Sequence, residues 1–483
     1  MKKYILIILC CLTSFPLWSY NVNMIVEHYS VDQGLPNNTV NCTLKDRDGF
    51  IWFGTWYGLC CFDGVKFKTF NKQEHDSDVP PRKIQRIVED KNGYIWVKTI
   101  DRKLYVFNKV TECFHAVYDD MKNYSENIQV IKLQNTAEGD VLLLTKDKNL
   151  LLAGVDEKGQ VTIKILFDSR NEINKHDYTL KHHVLCETEE YISWIGTDYK
   201  VAAVHKGSEL ASRPADFITS KINSGDKDSF TSFFEDGRKV WVGDRAGIFY
   251  SIDVRTGLVN RYVLSEIKGA ISNLLVTPAG YVYLSVAGQG TYEYDLAERR
   301  LQKINTEMND AMVTHAFIDQ YDKIWFHENE KALIYYDPLN HTAKRFPFTM
   351  FGKITTLYSE DAGERGLFFL SPAGEAWLFD REHAEMVYIN KLKQLSNDRA
   401  NQQFYHLMLD NDGVLWLSSA DEGVYCMNFP KKQFNLLSLS PQSVGQENYA
   451  TGVRALFQSK SGDIWVGTRW QSVYRMDRNG VTK

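Results

Sequence analysis

Carboxylates placed on either side of a sugar linkage can hydrolyse it, one as acid and one as base or nucleophile. The chain carries 61 acidic residues, yet no pair is marked by its surroundings. Asp63, Asp253 and Asp410 sit beside strand-like runs and read as turn formers. Metal chemistry finds no support. HExxH is absent, His182 and His183 are adjacent and would diverge on a strand, and His327-Glu328 lacks a second histidine at helical spacing. Gly288-Gln289-Gly290 has no phosphate-binding helix after it, and neither a nucleophile elbow nor a P-loop occurs. No catalytic residue, metal ligand or cofactor site is therefore assigned. Binding chemistry is better supplied. Trp56-Tyr57, Asp244-Arg245 and Arg469-Trp470 occupy matching places in three parts of the chain. Flat aromatic faces can stack on sugar rings, and arginine can clamp an acidic sugar through paired hydrogen bonds.

Those places match because the chain is repetitive. Asp46-Arg47-Asp48-Gly49-Phe50-Ile51-Trp52-Phe53-Gly54-Thr55 is the clearest unit. Residues 91–97, 411–417 and 460–468 repeat it, and weaker copies lie between. The anchor is Trp52, Trp96, Trp194, Trp241, Trp325, Trp416 or Trp465, and Leu142, Tyr283 or Phe368 in the degenerate copies. These ten positions recur every 42 to 52 residues, and seven of the eleven tryptophans hold them, which chance would not arrange.

Each unit reads as β structure. An alternating run precedes an Asp-Gly, Asn-Gly or Ser-Gly turn, the Trp strand follows, and a second turn leads to a third strand such as Gly58-Leu59-Cys60-Cys61-Phe62. A fourth strand fits each linker, as Phe67-Lys68-Thr69-Phe70. Four strands in such a length make a propeller blade, with stacked β units as the structural alternative. The tryptophans are expected to pack between neighbouring blades.

Propellers typically have four to eight blades, so ten units do not suit one ring. The expected fold is all-β, a seven-bladed β-propeller followed by the first blades of a second, incomplete propeller. The expected division is residues 1–20 as signal peptide, 21–350 as the first ring and 351–483 as about three further blades, read as a truncated second ring.

Composition agrees with an exported β protein. Aromatics reach 13%, and the net charge of -5 with no basic stripe argues against nucleic acid. Lys2 and Lys3 precede the uncharged run from Tyr4 to Leu17, and Ser19 offers a small residue for cleavage. No later run is long and apolar enough to span a bilayer. Cys42, Cys60, Cys61, Cys113, Cys186 and Cys426 are irregularly spaced and read as unpaired buried thiols.

His28-Tyr29-Ser30-Val31-Asp32-Gln33-Gly34-Leu35-Pro36-Asn37-Asn38-Thr39-Val40 leads into the first unit. Together they resemble the two-component regulator propeller repeats at the start of hybrid two-component sensors. The resemblance implies two seven-bladed propellers outside the inner membrane, a periplasmic location, an oligosaccharide ligand linked to polysaccharide utilisation, and a homodimer in the full-length setting. The family's β-sandwich, membrane helix, histidine kinase and regulator would lie downstream, so no enzyme activity is expected of this chain. The Asp-x-Asp-Gly-x-x-Trp pattern is also similar to the Asp-box of sialidases, where it is a hairpin element. A propeller adaptor that binds another protein, or a propeller glycoside hydrolase or lyase, are the alternatives.

Overall fold

The computed structural model describes residues 25–70, 80–122, 124, 129–170, 180–196, 201–207, 230–304, 313–328, 331–348, 358–363, 366–371, 375–389, 404–428, 453–461, 463–468 and 473–476. The expected signal peptide, the His182–His183 side chains, Arg469 and Trp470 lie outside them. Two compact units divide the chain at Asn428.

The described residues of the first unit form nine antiparallel sheets. Blades one to nine span residues 40–70, 84–116, 130–167, 180–205, 230–262, 271–303, 313–347, 358–389 and 404–428. All nine expected anchors of this unit lie on the second strand of their blade. Innermost strands touch from blade to blade, as Val40–Lys45 touches Ile84–Glu89 and Phe230–Glu235 touches Ile271–Val276.

Most of these inner strands begin with a β-bulge, at Val40/Cys42, Ile84/Arg86 and Phe230/Ser232 for example. The bulge turns a side chain toward the next blade. Asn41 Nδ2 donates to the Ile84 carbonyl at 2.7 Å, and Thr231 Oγ1 donates to the Ile271 carbonyl at 2.7 Å. The glycine two residues after the anchor belongs to the same contact. A Cβ on Gly54 would meet Ile84 at 2.6 Å, and one on Gly243 would meet Ile271 at 2.7 Å, so only a bare backbone admits the neighbour.

The core lies between blades, as expected for the anchors. Trp52 packs on Phe107 of blade two, and Trp325 on Phe369 and Phe379 of blade eight. Trp96, Trp194 and Trp325 are fully buried.

The division into seven blades and an incomplete second ring is corrected. The strand Ile25–Tyr29 pairs with Val424–Asn428 and supplies the missing outer strand of blade nine. Blade nine then packs on blade one: Trp416 meets Phe53 and Phe62, and Thr43 bonds Ser418. The unit is a closed nine-bladed ring, and the boundary expected near residue 350 falls inside it. The opening motif carries out the closure. Ser30 and Gln33 form a capping box, Asn38 accepts from the Val31 amide at 2.9 Å, and the Gly423 amide donates to the Asn38 carbonyl at 2.9 Å.

The described part of the second unit is one three-stranded sheet, Val453–Gln458, Ile464–Thr468 and Val473–Met476. Its anchor Trp465 is 37% exposed, and Leu456, Phe457 and Val473 are more exposed still.

Candidate functional site

The repeat's aspartate does structural work. Asp46 Oδ1 accepts from the amides of Asp48 and Phe50, and Oδ2 accepts from Trp52 Nε1 at 2.8 Å. Asp90 holds Trp96 in the same way at 2.8 Å, Asp236 holds Trp241 at 2.8 Å, Asp319 holds Trp325 at 3.2 Å and Asp410 holds Trp416 at 3.1 Å. Each carboxylate closes a turn and satisfies an indole that would otherwise be buried without a partner.

A cation from the next blade often completes this unit. Lys109 of blade two reaches Asp46 at 3.1 Å, Asp48 at 2.7 Å and Glu89 at 2.8 Å. Burial pulls its ammonium down, but the three carboxylates outweigh this and hold it above the usual lysine range. Asp46, Asp48 and Glu89 are spaced as a cation site would be, and Lys109 fills it. Arg381 of blade eight repeats the clamp, on Asp319 at 2.6 Å and Asp361 at 2.7 Å. Register makes Lys109 and Arg381 equivalent, two residues after Phe107 and Phe379. Lys206 serves Glu138 and Glu187 between blades three and four, at 2.8 and 2.6 Å. Lys45 serves Asp410 and Asp412 between blades nine and one.

The clamp is missing from several interfaces, since Val155 of blade three and Leu296 of blade six also hold the cation's place, and two of the interfaces without it have a hollow. Between blades four and five the cation's place is Val254, while the acid's place keeps Glu235. Glu235 Oε2 is buried without a partner, and burial, with Glu187 and Asp236 nearby, pushes the carboxyl up to about 7. A hollow of about 400 Å³ at this interface is lined by Val254, Glu190, Tyr191, Arg238 and Arg255 among others.

Between blades six and seven every part of the clamp is replaced. Thr277 stands for the aspartate, Tyr283 for the tryptophan, Pro338 for the cation and Ile318 for the acid. The hollow left there measures about 500 Å³ and includes Tyr281, Tyr283, Glu293, Tyr321, Lys323 and His341 in its wall. Tyr283 donates to Glu293 Oε2 at 2.9 Å, and Tyr336 donates to the same oxygen at 3.2 Å. Tyr336 has one proton, so its 3.1 Å contact with His341 makes Nδ1 of that ring the donor. Burial, then the Glu293 charge, raises both tyrosine hydroxyls above their usual range.

The residues singled out from the sequence are distributed around the ring. Trp56 and Tyr57 lie on the turn between the second and third strands of blade one, 37% and 60% exposed, with Lys83 Nζ 5.1 Å from the Trp56 ring centre. Arg245 is exposed on the matching turn of blade five. Asp244 is buried there and accepts from the amides of Ala246 and Ile248, a turn-closing role. Blades one and five are not neighbours, so the ring does not bring these pairs together. The hollow between blades six and seven was missed. Thr277 and Tyr283 show the paired loss of aspartate and tryptophan, which Thr136 and Leu142 of blade three share, so the sequence alone did not single this interface out.

Asp63 and Asp253 close turns through backbone amides, as expected. The six cysteines of the described residues are unpaired, and Cys42, Cys60 and Cys186 are buried. Among the described residues no helix is long and apolar enough to cross a membrane.

No curated protein is significantly similar to the chain. Among solved structures, the extracellular domain of the hybrid two component system BT3049 from B. thetaiotaomicron is 14% identical, over 95% of this chain and 66% of that one, with a TM-score of 0.33. The corresponding domain of BT4673 from the same organism is 16% identical over the same shares, with a TM-score of 0.31. PorZ, a surface component of the type-IX secretion system of Porphyromonas gingivalis, is 13% identical over 94% of this chain and 76% of its own, with a TM-score of 0.30. The chain thus spans just under two thirds of the two B. thetaiotaomicron domains. Residues 34–57, from the closing motif into the first blade, match the model of the two component regulator propeller family. The opening of this nine-bladed ring is thus similar to a two-component regulator propeller repeat.

Proposed function

We propose that the chain is the ligand-detecting propeller region of an extracytoplasmic two-component sensor, and that its ligand is an oligosaccharide. The match of residues 34–57 to the regulator propeller family carries this reading. The leader-like residues 1–20 support a periplasmic location, and exposed aromatic turns such as Trp56-Tyr57 support a sugar ligand. A closed ring offers rigid turns on which a ligand can act, and binding would bias a dimer of the full sensor toward one arrangement. The turn aspartates are engaged in closing hairpins, which favours recognition over hydrolysis.

Titration calorimetry of the purified chain against oligosaccharides tests this. The reading expects at least one to bind at micromolar concentration and to be recovered intact. Product release would favour the hydrolase or lyase alternative, and absence of any binding would favour the adaptor.

A further inference from the structure

We propose that the hollow between blades six and seven binds an uncharged sugar ring, a single unit of a neutral oligosaccharide. The proposal rests on the sensor reading above and gives that reading a location. At the interfaces of blades one with two and seven with eight, the same space is filled by a Trp–Asp pair and a cation. Here all these parts are exchanged for smaller or apolar residues, and the surrounding groups do not close the gap. Its volume of about 500 Å³ lies in the range used for small ligands.

The wall has the chemistry of a polyol site. Tyr321 is 43% exposed, and its ring is backed by the Arg381 guanidinium at 4.4 Å, which holds it in place. Such a fixed aromatic face suits the C–H side of a pyranose. Glu293 is 5% exposed, and both tyrosine hydroxyls go to its Oε2. Among the described residues Oε1 has no partner, so it can accept from a ligand hydroxyl. The Nδ1–H of His341 is committed to Tyr336, which leaves Nε2 as a second acceptor on an exposed ring. Lys323 is neutralised by Asp337 at 2.7 Å, and Asp322 adds a further carboxylate. Acceptors and net negative charge face the ligand, so hydroxyl donors fit and uronic acids are repelled.

The test is calorimetry of the full chain with maltohexaose, cellohexaose, mannohexaose, xylohexaose and oligogalacturonate. The expected result is binding of a neutral hexaose and none of oligogalacturonate. Tyr321→Ala should weaken binding about tenfold, the loss of one stacking face. Glu293→Gln, which keeps shape and removes charge, should weaken it as well. Unfolding midpoints of the variants identify any that fail to fold. Binding that survives both pocket variants overturns this site and leaves the sensor reading standing. Failure of every oligosaccharide to bind the parent chain overturns both, and preference for oligogalacturonate overturns the assigned ligand class.

Discussion

Trp52 Nε1 and the ammonium of Lys109, from neighbouring blades, meet on the same oxygen, Oδ2 of Asp46, at 2.8 and 3.1 Å. One carboxylate thereby closes a hairpin, satisfies a buried indole and ties two blades together. Versions of this contact recur on Asp319 and Asp410, and both hollows described above lie at interfaces that lack it.

Trp96→Phe removes the donor to Asp90 and leaves a small cavity in the core. A buried acceptor then loses its partner, at a cost of about 1–3 kcal/mol. Urea unfolding measures it. Tyr283→Phe supplies the comparison in blade six, where the lost donor serves Glu293 instead of a turn aspartate.

Lys109→Met strands three carboxylates and should cost about 1–3 kcal/mol, more than a surface ion pair provides. Ligand oxygens of Asp46, Asp48 and Glu89 lie within 4.8 Å of one another. Millimolar calcium should therefore raise the unfolding midpoint of Lys109→Ala and leave that of the parent unchanged. Equal calcium responses in the two proteins would count against the ammonium as the resident cation.

The blades were legible because each is local. An Asp-Gly turn, a Trp strand and a glycine at fixed spacing write one hairpin, and all ten anchors fell on second strands. The number of blades per ring was not legible, because closure is a pairing between the two ends of the unit. Ile25-Val26-Glu27-His28-Tyr29 has the alternation of any edge strand, and nothing in it names Val424–Asn428 as its partner. The hollow was half legible. The loss of Trp and Asp in unit six was visible, but Pro338 gained meaning only when register gave it the position that Lys109 and Arg381 hold in their own blades.

Glu235 gives a pH signature. Its carboxyl is raised from the ordinary 4.5 to about 7, chiefly by burial, so the fold prefers the protonated form. The stability it contributes is fully present below about pH 4.5 and is lost as pH rises through about 7. Glu235→Gln stays neutral throughout. Its urea midpoint should exceed the parent's at pH 8, and the gap should close by pH 4.5. A gap of equal size at both pH values would contradict a titrating Glu235. His406, whose ring burial lowers to about 4, runs the other way, with stability present above about 6.5 and lost as pH falls.

Ring closure is tested most directly by a disulfide across the seam. Glu27 stands opposite Cys426 in the antiparallel register. In purified Glu27→Cys, mild oxidation should join residues 27 and 426, seen by peptide mapping. In a second variant, Glu27→Cys with Cys426→Ser and Tyr335→Cys, no bond to the third strand of blade seven should form. A bond between 27 and 335, with none between 27 and 426, would mean that the chain closes after seven blades and that the nine-bladed ring is wrong.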